Sequence, residues 1–268
     1  MVGALKKILI KINRLPVPLT IKHYYAFGET TYFLKDKKLD SLESWDVLRT
    51  GHPHFSISED REEWLKACEL ETTKDGQDSN LIKRAKSITE ILNCLKIKTV
   101  FSVGVGGAAL EYQIKKIKPE IELICSEGSK VNAKLLKKVF CECDSIVLFD
   151  ITSKDWSATW RSIEAKDQLC LIYRLDASFT DAQWREVFQN LFNSGVQNIL
   201  YIPTNFLTVL SFLTRMRQRL FWAVSRQPIS FAGYLRTKKT FMSYWQSLYA
   251  ETEMDFGGLG GFLLRKIE

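Results

Sequence analysis

Histidine is scarce in this sequence: three in 268 residues. Two of them, His52 and His54, flank Pro53 with no carboxylate placed beside them, so no metal site is expected. No apolar run approaches the ~20 residues needed to cross a bilayer. The six cysteines, Cys68, Cys94, Cys125, Cys141, Cys143 and Cys170, lack the spacing of a disulfide framework. Cys125 and Cys170 fall inside strand-like apolar runs, where a thiol serves as a small hydrophobe. Cys141 and Cys143 have no second pair and no nearby histidine to complete a metal site. That usage points to a reducing compartment. No dense Lys/Arg block or Arg-Gly tract is present, so a net charge of +7 and a pI near 9.0 do not select nucleic acid as a partner. The same balance leaves open an anionic membrane surface or an acidic substrate. Lys6, Lys7 and Lys11 interrupt the N-terminal apolar stretch, and no small-residue cleavage site follows it. This argues against secretion and for a cytoplasmic protein.

What is there centres on residues 99–110, TVFSVGVGGAAL. β-Branched and aromatic residues over 99–103 predict a short buried strand. Gly104, Gly106 and Gly107 follow at once, and 108–117 reads as a helix stopped before Pro119. Strand, glycine turn and helix aim backbone N–H groups and a helix N-terminus at one ligand, and a Cβ in the turn would collide with it. The next strand, 121–125, runs into Ser126-Glu127-Gly128. Glu127 therefore stands at the carboxyl edge of the neighbouring strand, where an acid accepts hydrogen bonds from ribose hydroxyls. The unit reads as nucleoside-binding. A tight turn with no ligand is the alternative.

Around it the chain alternates. A helix over 79–95 carries Ile82, Ala85, Ile88, Ile91, Leu92 and Leu95 at helical spacing. After Glu127 come a helix over 130–140, a strand over 145–149 ending at Asp150, a short helix with Trp156 and Trp160, and a strand over 169–173. A helix beginning at Thr180 or Asp181 carries Trp184, Val187, Phe188, Leu191 and Phe192 and ends at Gly195. A fifth strand spans 196–202. The expected fold is α/β: a doubly wound, mostly parallel seven-stranded sheet with an antiparallel last strand, plus a small N-terminal helical cap. Residues 1–78 form the cap, with a basic amphipathic helix over 1–13, a helix near 58–70 and a linker over 72–80. Residues 79–268 form the main domain, with an insertion at about 204–246 that opens on a basic helix over 205–225 bearing Arg215, Arg217 and Arg219. A loop with Phe231, Tyr234, Arg236, Lys238 and Lys239 and a helix-like 240–246 follow. The two final strands, about 248–252 and 262–267, are joined by a glycine-rich link and read as an antiparallel pair at the sheet edge.

In this order of elements, residues 79–268 resemble the class I S-adenosylmethionine-dependent methyltransferases. Val103-Gly104-Val105-Gly106 is similar to their glycine-rich first motif, Glu127 to the ribose-holding acid, and Asp150-Ile151 to the pair beside the adenine. Tyr173, Arg174 and Asp176 fall where the fourth strand of that family opens onto the methyl donor. The closing Gly-Gly-Phe-Leu-Leu-Arg-Lys resembles its reversed final strand. The resemblance implies S-adenosyl-L-methionine as cofactor, held by Ser102, Val103, Gly104, Val105, Gly106, Glu127, Gly128, Asp150, Ile151, Tyr173 and Arg174. The chain departs from the family at Ser102, where an acid is usual, and at Ala108, where a third glycine is usual.

Methyl transfer from a sulfonium needs alignment above all, and a base only when the acceptor must lose a proton. Candidate bases are His52, His54 and Asp176, with His23 and Tyr234 behind them. The implied acceptor is a small molecule or a glycan or lipid-linked group, bound between the cap and the segment after the fifth strand. Arg215, Arg217, Arg219, Arg226 and Arg236 are candidates to hold an anionic group on it. Basic helices at both ends leave peripheral membrane contact open. Two alternatives remain at this level. One is a non-catalytic methyltransferase-like binding module, favoured by Ser102 and Ala108. The other is an NAD(P)-dependent oxidoreductase, since Gly104-x-Gly106-x-x-Ala109 with Glu127 also satisfies that fingerprint.

Overall fold

The computed structural model describes residues 15–26, 57–73, 80–153, 167–226 and 229–267. Expectations for 1–13, for His52 and His54, and for Trp156 and Trp160 lie outside these residues. The described elements, numbered in chain order, are β1 Thr20–Ala26, α1 Arg61–Thr73, α2 Asn80–Cys94, β2 Thr99–Val103, α3 Ala109–Ile117, β3 Glu122–Glu127, α4 Lys130–Val139 and β4 Ser145–Leu148. They continue with β5 Gln168–Tyr173, α5 Asp181–Asn193, β6 Asn198–Ile202, α6 Val209–Val224, β7 Ile229–Arg236, α7 Lys238–Met242, β8 Tyr249–Phe256 and β9 Leu259–Lys266.

Side chains on successive strand residues point to opposite faces, and here both faces are apolar because both are covered. Val100, Leu169, Leu171, Leu200 and Leu263 join one core with Trp64 of α1, Ile88 of α2, Ile114 of α3 and Leu136 of α4. Phe101, Cys170, Ile172, Ile199, Tyr201, Phe262 and Leu264 join a second core with Trp184 and Phe188 of α5 and with Phe241, Tyr244 and Trp245. The sheet between them runs β4-β3-β2-β5-β6-β9-β8. β2, β3, β4, β5 and β6 pair in parallel, while β9 pairs antiparallel with both β6 and β8. A reversed strand beside β6 departs from the 3-2-1-4-5-6 order of dinucleotide-binding sheets. Among the described residues no helix is long and apolar enough to cross a membrane.

Four stretches differ from expectation. Residues 229–236, expected as loop, form β7, and β1 emerges in what was expected to be a helical cap. The two pair antiparallel in a separate two-stranded sheet, with Thr20 opposite Arg236 and Ala26 opposite Ile229. The expected 240–246 helix is the five-residue α7 followed by turns. Residues 72 and 73, expected in a linker, close α1 instead.

A buried cation fastens the small sheet to the large one. The Arg236 guanidinium is fully buried. It donates from Nε to Asp181 Oδ1 at 2.7 Å, from Nη1 to the Asp176 carbonyl at 2.7 Å, and from Nη2 to the Phe179 carbonyl. Asp181 also accepts from Thr20 Oγ1 at 2.8 Å and from the Tyr244 hydroxyl at 2.9 Å. Burial opposes its ionisation, but these donors outweigh burial and hold the carboxyl below its ordinary range. Gly233 (φ +116°) then passes so near the turn after β5 that an added Cβ would stand 2.4 Å from the Ala177 carbonyl oxygen. No side chain fits there.

Gly233→Ala is therefore expected to destabilise the fold by about 2–4 kcal/mol, as strain plus collision. Gly258→Ala shares a positive φ (+89°), but its Cβ meets nothing within 4 Å, so it should cost only about 1 kcal/mol. Equal shifts in denaturant midpoint would refute the close approach. A second expectation concerns His23 of β1, whose pKa burial pushes down to about 4, with the Arg215 charge adding to the effect. The unfolded chain takes up this proton near pH 6.5 and the folded chain only near 4, so stability present above 6.5 is lost as pH falls through that window. His23→Gln should flatten the slope of unfolding free energy between those pH values, read by denaturant titration at several pH values.

Candidate functional site

The chain leaves β2 at Val103 and must reverse into α3 within a few residues. Gly104 (φ +65°) and Gly106 (φ +57°) take left-handed conformations that suit glycine, and Ala108 (φ +59°) takes one at a cost of about 1 kcal/mol. The Gly104 and Val105 N–H groups both donate to the Ser126 carbonyl, at 2.8 and 3.1 Å, which ties the loop to the end of β3. The Gly106 N–H donates to Glu127 Oε2 at 2.9 Å, and the Ser129 N–H donates to Oε1 at 3.1 Å. One nearly buried carboxylate thus bridges the loop after β2 and the start of α4. From the other side, the Trp64 indole N–H of α1 donates to the Gly107 carbonyl at 2.9 Å. A Cβ on Gly107 would meet nothing within 4 Å, and Ala108 gives α3 no side-chain cap. At Gly107 the loop therefore presents bare peptide to open space, and α3 starts without a side-chain cap, with Ala108 and Ala109 buried.

The neighbouring strand ends converge on this loop. The Phe149 N–H donates to the Glu127 carbonyl at 3.0 Å, bringing Asp150 beside Glu127. Asp150 is half-buried. Its Oδ1 accepts from the Thr152 N–H at 2.9 Å and from Thr152 Oγ1 at 2.7 Å, and among the described residues nothing bonds Oδ2. Ile151 is buried next to it. At the end of β5 the Tyr173 hydroxyl accepts from Arg84 Nη1 of α2 at 2.8 Å, Arg174 adopts a left-handed φ of +54°, and Leu175 leans over the loop. Leu175 Cδ1 stands 2.9 Å from where a Cβ on Gly104 would be.

The structure thus gathers Gly104, Val105, Gly106, Glu127, Gly128, Asp150, Ile151, Tyr173 and Arg174 at the carboxyl ends of four adjacent parallel strands. Val103 is buried under the loop. Ser102 faces inward, and its hydroxyl donates to Glu111 Oε1 of α3 at 2.7 Å, with both residues buried. Asp176 is also turned in. Its Oδ1 accepts from the Thr204 N–H at 2.6 Å, and burial pushes its pKa up against that bond. Tyr234 lies half-buried in β7 under the Arg236 guanidinium, 5.1 Å from its ring centre, and His23 is buried in β1. Among the described residues no group of three metal-ligating side chains occurs.

Four participants were not singled out from the sequence: Trp64, Arg84, Glu111 and Leu175. Trp64 and Arg84 act across 43 and 89 residues of chain. Glu111 sits in the first turn of α3 and carried a local signal, a lone acid among apolar neighbours.

No protein-family model and no curated protein matches the chain. By structure it is similar to human N-acetylserotonin methyltransferase in complex with SAM, at a TM-score of 0.52 and 14% identity, over 83% of this chain and 62% of that one. It is similar to PigF with SAH at 0.51 and 12% identity, over 77% and 67% of the two chains. For Streptomyces venezuelae DesVI the TM-score is 0.50 with 8% identity, over 78% and 99%. The chain spans less than two thirds of the human enzyme and nearly the whole of DesVI. At such low identity the likeness is one of architecture. The chain has the class I S-adenosylmethionine-dependent methyltransferase fold.

Proposed function

We propose that the chain is an S-adenosylmethionine-dependent methyltransferase acting on a small-molecule acceptor, free or linked to a glycan or lipid. The observation that carries this reading is the Glu127 carboxylate, held at the end of β3 by the Gly106 and Ser129 N–H groups. The residues present fit an adenosine. Glu127 would accept from the ribose hydroxyls, Asp150 Oδ2 would accept from the exocyclic amine, and Ile151 would supply apolar contact beside the ring. Bare peptide over 104–107 would let the ligand approach closely, and Tyr173, fixed by Arg84, would border the donor end with Arg174. Leu175 must turn aside from Gly104, a change at the end of a flexible side chain. When bound, the cofactor supplies a methyl group already activated by the sulfonium charge.

What the chain must add is alignment and exclusion of water. The β1–β7 sheet and the segment after β6 border the turn at Asp176–Ser178, which supports residues 1–78 and about 204–246 as the acceptor side. With Asp176 buried and committed to Thr204, that side chain is better suited to holding the turn than to taking a proton. A second reading, a binding module without turnover, draws on Leu175 over Gly104 and on the inward Ser102–Glu111 pair.

Calorimetry with S-adenosylhomocysteine separates the two: the enzyme should bind at micromolar concentration, and the module should give no heat even at millimolar ligand. Asp150→Asn keeps an oxygen for Thr152 and should weaken binding about tenfold, or ~1.4 kcal/mol. Glu127→Ala also frees the loop and should cost a hundredfold or more, about 2.8 kcal/mol. Unchanged affinity in both variants would refute the site. NADH fluorescence should show no binding.

A further inference from the structure

Helix α6 is turned inside out. Its sixteen residues include none that is buried. Leu213 (57% exposed), Met216 (41%), Leu220 (64%), Phe221 (64%) and Val224 (80%) recur at helical spacing and form one outward apolar stripe. The opposite face, which meets the protein, carries Ser211, Arg215 and Gln218 beside Phe212 and Trp222. A helix of a globular core would do the reverse. Ordinary stability therefore does not account for the stripe, and an exposed apolar patch of this kind marks a contact surface.

The surrounding charge identifies the contact. From residue 187 to residue 250 the sequence contains no Asp or Glu, and Arg217, Arg219 and Arg226 are exposed on α6 or just after it, while Arg215 faces the protein and Lys238 is paired with Glu253. Arg217 lies within the stripe itself, four residues after Leu213 and three and four before Leu220 and Phe221. It is exposed and takes part in no ion pair among the described residues. Arg219 stands over the Tyr24 ring of β1 at 4.8 Å, which helps seat α6 with its apolar side outward.

We propose that the outward face of α6 docks in the plane of an anionic lipid surface. Its apolar side chains would enter the headgroup–acyl boundary, and Arg217 would extend its stem upward to lipid phosphates. At about 24 Å the helix is too short to span the hydrocarbon and is suited to lie along it. A second copy of the chain fits less well. Antiparallel packing of two such stripes would bring Arg217 against its own counterpart and set two acid-free faces together.

The test is vesicle flotation of the full chain at low salt, with phosphatidylcholine alone and with added phosphatidylserine. Binding to the anionic vesicles is expected, at least about tenfold above the neutral ones, and it should fall as salt rises. The paired substitution Leu220→Glu and Phe221→Glu removes no buried contact, so melting should stay unchanged while vesicle binding drops about tenfold or more. Three outcomes would overturn the proposal. They are no flotation with anionic vesicles, binding equal in the substituted protein (which would assign it to another basic stretch), and a dimer by light scattering that the substitutions dissolve without any vesicle binding. Because no cofactor enters the assay, its failure leaves the methyltransferase reading untouched.

Discussion

Glu127 holds together most of what is specific to this molecule. A glycine loop after a strand is floppy unless something holds it, and here a single carboxylate accepts from the loop at Gly106 and from the start of α4 at Ser129. The bond is charge-assisted and nearly out of water, where such bonds are worth more than on the surface. It ties the loop after β2 to the end of β3 and fixes the peptide between them. The Trp64 indole closes the same loop from outside. Loop shape and the seating of α1 follow from the bonds made to that one loop.

A second buried charge does comparable work for the small sheet. Arg236 satisfies itself with the Asp181 carboxylate and two carbonyls, and Asp181 is satisfied in turn by Thr20 and Tyr244. A buried ion pair is tolerable when its remaining hydrogen bonds are met, and costly once one partner is lost. The network joins β1, β7, the start of α5 and the turn after β5, so the N-terminal strand is locked to a segment more than two hundred residues away. It also explains why Asp176 faces inward: the turn that carries it is held by the backbone, beneath Gly233.

The two surfaces of the molecule then differ in kind. At the carboxyl ends of the parallel strands, polar groups and bare peptide converge. Along α6, an apolar stripe points outward while Ser211, Arg215 and Gln218 face the protein beside Phe212 and Trp222. A residue pattern that looks ordinary on a helical wheel has opposite meanings depending on which side the body lies, and only neighbours such as Tyr24 under Arg219 decide that.

Much of this architecture was legible in one dimension. Alternation of strands and helices from 79 onward, the glycines at 104 and 106, the acids at 127 and 150, the helix start at Thr180–Asp181 and the closing hairpin all lie in local patterns. Burial and backbone conformation impose such patterns on adjacent residues whatever the rest of the chain does. The pairing of β1 with β7, the bonds of Trp64, Arg84 and Arg236, the inward turn of Ser102 and Asp176 and the outward face of α6 left no such mark. Each depends on groups that come together only when distant segments are stacked. A short stretch of chain carries its own periodicity, and it holds no record of which side its partner will stand on.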